Sequence, residues 1–293
     1  MAKVKRGQVI SDLEELLFPV ELIDNPRNTN SEYKKVVVGT LVDGEIDLNY
    51  CSARYELVPN SVIFPNIEKI LREHGIEFEV QYSHTSNARF YANYVITDKR
   101  YSYKIKGTND EICPVLRVQH SYNGLTKYRI MFGYFRVICS NGLTVPVQEM
   151  SKYNLVIIGK HTKSIIDSLK QLDTLLNTFS NEAKQITAEI TAKYETLVDR
   201  KVTDVKLRVE QVLRQNKIGM VDNKNFNTVE NIANRITKEV NDPTLGYNGR
   251  VNDWLVYNGI NQYLGDDSVN IASPEKRMET DSKILEYMLR NAA

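Results

Sequence analysis

Three cysteines, four histidines and one dense run of cations and aromatic rings are the residues of this 293-residue chain with chemistry to offer. Cys139 stands in "FRVICSNGLTVP" (Phe135–Pro146), directly after Val137 and Ile138. A reactive thiol needs a base, a cation or a helix N-terminus to stabilise its thiolate, whereas a free cysteine in apolar company is usually a small buried hydrophobe. Packing is the role expected of Cys139. With Cys51 and Cys113 it makes an odd, widely spaced set that gives neither a disulfide framework nor a CxxC metal pair, which suits a reducing cytoplasm. His74, His84, His120 and His161 are scattered, with no HExxH and no carboxylate at metal-ligand spacing. "IIGKHTKS" has the Gly159-Lys160 pair of a phosphate-binding loop, but Asn154 occupies the place of its first glycine and His161 that of its Mg²⁺-binding hydroxyl. No GxSxG elbow and no GxGxxG fingerprint appears. No metal and no cofactor is expected, and a binding protein is favoured over an enzyme, although catalytic groups assembled only by folding leave no spacing signature.

The cations and rings are the stronger signal. Between Arg89 and Arg136 the basic residues are Arg89, Lys99, Arg100, Lys104, Lys106, Arg117, Lys127, Arg129 and Arg136, against Asp98, Asp110 and Glu111. That segment carries +6 in a chain whose net charge is +1, so the rest is acidic. Phe90, Tyr91, Tyr94, Tyr101, Tyr103, Tyr122, Tyr128, Phe132, Tyr134 and Phe135 are interleaved with it. Cations that track phosphates, with rings that stack on bases, are the means of holding a single nucleic-acid strand. The expected partner is single-stranded DNA, and the nine cations with Tyr101 and Tyr103 are its expected contacts, centred on Lys99, Arg100, Lys104 and Lys106. The competing reading is a half-buried sheet. In "KRYSYKIKG", Arg100, Ser102 and Lys104 alternate with Tyr101, Tyr103 and Ile105, which puts charges and rings on opposite faces.

The elements that would position these residues follow from periodicity. With 42% hydrophobic and 26% charged residues the chain can bury a large core. It contains no run of eighteen apolar residues, and acids interrupt its basic start, so a soluble protein of the bacterial cytoplasm, with no membrane partner, is expected. The predicted class is α+β: an antiparallel β-meander, a very long helix and a small C-terminal helical region. Residues 1–155 read as β-rich with one short helix, "SVIFPNIEKILREHG", stopped at Gly75. Asp43-Gly44, Asn123-Gly124 and Asn141-Gly142 separate β-rich runs, and the last is predicted to form a two-residue type I′ turn. Residues 156–217 read as one long helix or a helical hairpin. Leu169, Leu172, Leu176, Phe179, Ala183, Ile186 and Ile190 form a stripe, and no proline or glycine interrupts Lys160–Lys217. A continuous helix there would run on the order of 80 Å, so part of it must pack on another helix or another subunit, and a homo-oligomer is one expectation. Residues 218–293 read as three short helices.

The ordered motifs "SARYELVPNSVIFPNIEKILREHG", "FGYFRVICSNGLTVPV", "GKHTKS", "WLVYNGINQYLG" and "RMETDSKILEYML" together resemble the phage- and plasmid-associated family known as domain of unknown function 932. The likeness runs from about Val36 to Leu289, and its most specific piece is Arg-Val-x-Cys-x-Asn-Gly-Leu at Arg136–Leu143. It implies a mobile-element origin and transfers no catalytic residue. The meander followed by a long helix is also similar in architecture to the single-strand annealing proteins of phages, of the RecT and Red-beta kind. That likeness implies strand annealing in recombination, by a protein that forms rings or filaments along DNA without a cofactor. The alternative is an interaction protein, with a host or phage protein as its partner, directed against a host defence or restriction system.

Overall fold

The computed structural model describes residues 9–26, 32–137, 141–143, 156–159, 161, 164–218, 225–264 and 274–290. The chain begins with β1 (Val9–Ser11), the single turn α1 (Leu13–Leu16), and a three-stranded antiparallel sheet of β2 (Val20–Asp24), β3 (Lys35–Leu41) and β4 (Gly44–Cys51). Helix α2 (Asn60–Glu73) leads into β5 (Phe78–Ser86), β6 (Arg89–Ile96), β7 (Tyr103–Lys104), β8 (Glu111–Ser121), β9 (Tyr128–Arg136), β10 (Asn141–Leu143) and β11 (Val156–Gly159). Then come α3 (Ser164–Val198), α4 (Val205–Gln215), α5 (Asn225–Val240), a 3₁₀ turn at Pro243–Leu245, α6 (Asp253–Leu264) and α7 (Pro274–Arg290). The class is α+β, as the sequence indicates.

The larger sheet has eight strands in the order β1-β5-β6-β8-β9-β10, entirely antiparallel. The outer edge of β9 is shared: β11 pairs with Tyr128–Met131 and β10 with Tyr134–Arg136. Strand β7 caps the start of β8. Helix α2 packs Phe64 edge-on against Tyr82 of β5, with ring centroids 5.4 Å apart, and α3 stacks Phe179 on Phe132 of β9 at 4.3 Å. These helices and the sheet close one core in which α6 is almost wholly buried. Gly259 permits that burial, because a Cβ there would stand 2.9 Å from Ile236 of α5.

Three expectations are corrected. Asn141 and Gly142 do not form the turn of their hairpin; they pair with Arg136 and Phe135 inside β10, so the connection is the four residues 137–140. Cys139 lies in that connection, outside the described residues. The hairpin expected at Asp43-Gly44 does form between β3 and β4, with Gly44 (φ +121°) paired to Leu41 and with Val42 and Asp43 at the tip. Residues 156–217 are not one long helix: β11 comes first, and α3, about 50 Å long, ends at Val198. The chain from Asp199 to Asp204 is taken over by other partners. Val202 donates its N–H to the Val251 carbonyl at 2.9 Å, Asp253 donates to the Arg200 carbonyl at 3.0 Å, and the Asp204 side chain caps α4 by accepting the Leu207 N–H. The apolar stripe of α3, including Leu172, Leu176, Phe179, Ile186 and Ile190, is buried within its own chain, so it sets no requirement for a second subunit.

One ionic cluster inside the core joins the sheet to the C-terminal helices. The guanidinium of Arg136, the last residue of β9, is fully buried; its Nε donates to Asp110 Oδ2 at 2.5 Å and its Nη1 to Glu239 Oε2 of α5 at 2.8 Å. Tyr247 Oη and Trp254 Nε1 donate to the same Asp110 oxygen at 2.9 and 3.0 Å. Asp110 is positioned by a tight turn, where Ile105 donates to its carbonyl and its own N–H is received by Thr108 Oγ1. Removing one member strands a buried charge, which typically costs about 3–5 kcal/mol. Arg136→Ala is therefore expected to lose stability on that scale. Arg136→Lys is expected to recover only part, because an ammonium lacks the fork that spans two carboxylates. Urea unfolding monitored by Trp254 fluorescence measures both.

Candidate functional site

Strand alternation sorts β6, β8 and β9 into two faces. Even-numbered residues face the core: Tyr94, Leu116 and Phe132 stand in one cross-strand row and Ala92, Val118 and Ile130 in another, all buried. Odd-numbered residues form the opposite face. There the rows read Tyr91, Gln119, Arg129 and Asn93, Arg117, Met131, with Arg89 opposite Ser121 in the row beyond. Ser83 and Gln81 of β5 extend these rows past Tyr91 and Asn93. This face mixes guanidinium, amide and hydroxyl groups with the apolar side chains of Val95, Val115 and Met131, and Val115, Met131, Tyr91 and Gln119 are buried on it.

The arginines sit low on this face. Arg89, Arg117 and Arg129 are half-buried, Gln119 and Tyr91 are buried, and Lys127 stands exposed at the entry to β9. Burial pushes the Arg117 guanidinium below its ordinary pKa, against the pull of Asp281 and of Tyr257 and Tyr194. Arg129 Nε is buried with no hydrogen-bond partner among the described residues. Arg117 and Arg129 are diagonal neighbours on adjacent strands, about 7–8 Å apart at their origins, so two guanidinium forks can address one phosphate or two in succession. The acidic member of the face, Glu79, lies in the row of Val95, Val115 and Gly133.

The residues expected from the sequence fall into three groups. Arg89, Arg117 and Arg129 are brought together here, with Lys127 beside them. Lys104 and Lys106 are exposed elsewhere, around the turn between β7 and β8, where Glu195 Oε1 holds the Lys106 N–H at 3.1 Å. Lys99 is paired with Glu111 at 2.8 Å, which raises its pKa; Arg100 is held by the Asp98 carboxylate, which raises its own, and by the Gly75 carbonyl at 2.9 Å. The expected centre at Lys99–Lys106 therefore has two of its four cations already neutralised. Three further expectations are corrected. Arg136 is spent on the buried cluster, and neither ring presents itself for base stacking: Tyr101 packs on Phe179 at 5.2 Å and Tyr103 Oη donates to Glu195 Oε1 at 2.8 Å. The sequence reading named Tyr91 only among the interleaved rings and did not single out Asn93 or Gln119, although "RFYAN" and "RVQHS" place them at every second residue beside Arg89 and Arg117.

The family model described as Domain of unknown function (DUF932) matches residues 47–283. The chain belongs to this family. The DUF932 match takes in β5 to β11, and hence both faces of the larger sheet and the buried Arg136 cluster. No curated protein and no solved structure matches the chain. Among the described residues no helix is long and apolar enough to cross a membrane, and no group of three or more His, Cys, Asp or Glu could hold a metal ion.

This division of labour has a direct consequence for stability. Tyr101→Ala removes a ring packed on α3 and is expected to cost about 2–4 kcal/mol. Lys99→Ala breaks only an exposed ion pair and is expected to cost under about 1 kcal/mol. Denaturant melts of the two variants check the difference.

Proposed function

We propose that this DUF932 protein binds single-stranded DNA along the polar face of its eight-stranded sheet. The observation that carries the reading is the convergence of Arg89, Arg117 and Arg129 on that one face. A sheet offers a track, and arginine supplies flat, bidentate donors to phosphate oxygens. Half-buried guanidinium groups favour one flexible strand over a rigid duplex, because a strand can bend down to meet them. Asn93, half-buried beside Arg117, adds an uncharged hydrogen-bonding group that tolerates any sequence. A strand held through its phosphates leaves its bases free to meet a complement, which is the basis for extending the proposal to annealing during recombination of a mobile element.

Binding should be dominated by counterion release, with a logarithmic salt slope of about 0.7 per phosphate contacted on a single strand. The double change Arg89→Ala with Arg129→Ala is therefore expected to weaken binding and flatten the slope by about 1.4, while Lys99→Ala with Arg100→Ala leaves the slope nearly unchanged. Fluorescence anisotropy of a labelled oligonucleotide at several salt concentrations reads both. Absence of binding by the unaltered protein at low salt would defeat the proposal and leave the host-directed interaction protein as the better reading.

A further inference from the structure

Away from the polar face, the structure buries two histidines against each other. His120, on the core face of β8, and His161, in the junction between β11 and α3, have ring centroids 5.0 Å apart. Both are buried; among the described residues their ring nitrogens have no well-formed hydrogen bond, and the groups nearest to serving are the carbonyls of Val58 for His120 and of Thr126 for His161. His161 stacks on Tyr55 at 5.3 Å with the rings 12° from parallel, and its carbonyl accepts the Glu56 N–H at 3.0 Å. One ring stack and one backbone hydrogen bond thus fasten the junction to the connection between β4 and α2. On its other side His120 lies over Phe90 and against the edges of Tyr122 and Tyr128.

We propose that the His120–His161 pair is an acid-sensitive latch: neutral, it keeps His161 docked on His120, Tyr55 and the Glu56 amide, and protonated, it releases His161 from them. A buried imidazolium is costly without an anion, and two of them side by side also repel. No described carboxylate acts on either ring. The carbonyls of Val58 and Thr126 are the groups that favour the charged forms, and they are outweighed: burial holds both imidazoles below the ordinary histidine pKa, and His120 is lowered further by the charge of His161. The titratable neighbours offer no counter-charge. Burial pushes the hydroxyls of Tyr55, Tyr122 and Tyr128 up, and raises the thiol of Cys51 beyond Tyr55, so all four stay neutral in acid.

The sign follows from linkage. Because the closed-state values are depressed, the open form takes up protons first; the latch is at full strength above the ordinary value of about 6.5 and weakens as pH falls below it. Each histidine multiplies the opening equilibrium about 5-fold between pH 6.5 and 5.5, so the pair gives about 30-fold over that unit.

Native-state hydrogen exchange tests this on the whole protein. After correction for the intrinsic rate, exchange of the Glu56 amide is expected to accelerate about 30-fold over that unit, while the amides of Leu116 and Ile130 stay protected. His161→Phe, which keeps the stacked ring, should reduce the acceleration to about 5-fold. Imidazole carbon-bound proton shifts of the unaltered protein give a second reading that does not depend on any variant folding: both rings should remain neutral below pH 6 for as long as the junction is closed. Normal titration of either ring near 6.5, pH-independent protection of Glu56, or equal loss of protection across the whole sheet would overturn the proposal.

Discussion

Burying the Arg136 guanidinium obliges the structure to bring acceptors to it, and most of the architecture can be traced from that obligation. Asp110 and Glu239 come from opposite ends of the fold, one from the turn before β8 and the other from α5, and Tyr247 and Trp254 add donors to the same Asp110 oxygen. The cluster therefore joins the start of β8, the end of β9, α5 and the first turn of α6 at one point. The penalty of leaving such a charge unpaired makes alternative arrangements of these elements unfavourable. The Arg-Val-x-Cys-x-Asn-Gly-Leu run begins in this cluster. Arg136, its first residue, serves architecture, and Asn141 and Gly142 sit in a strand.

With the sheet fixed in this way, its two faces take different roles. The core face supplies rings and aliphatic groups to α2, α3 and α6, and the opposite face keeps three arginines among amides and hydroxyls. Such a face costs solvation: burial lowers the pKa of Arg117 in spite of the opposing pull of Asp281, Tyr257 and Tyr194.

Much of this was legible in the sequence, and the failures have physical reasons. The β-rich runs, the stop of α2 at Gly75 and the three C-terminal helices could be read from periodicity and capping, because each is set by local pattern. The break after α3 could not: Asp199–Asp204 contains no glycine or proline, and it leaves the helix because Val251 and Asp253 offer long-range backbone partners. Net charge by segment did not separate free cations from paired ones. Lys99 and Arg100 are close in sequence to Asp98 and Glu111, and they are neutralised by them. Parity along the strands, applied to Arg89, Tyr91 and Asn93 or to Arg117, Gln119 and Ser121, carried the better signal and would have separated the polar face from Arg136, whose even number places it in the core.

The central claim, that the odd-numbered face of the sheet is the one a nucleic-acid strand occupies, is tested most directly by observing the arginine side chains themselves. Nitrogen-edited spectra of the arginine Nε–H groups, recorded as a short single-stranded oligonucleotide is added at low salt, report each guanidinium separately. The account predicts that the Arg89, Arg117 and Arg129 signals move together and saturate with one affinity, while those of Arg100 and Arg136 stay in place. Saturating shifts centred on Arg100, or no shift in any of the three, would contradict it.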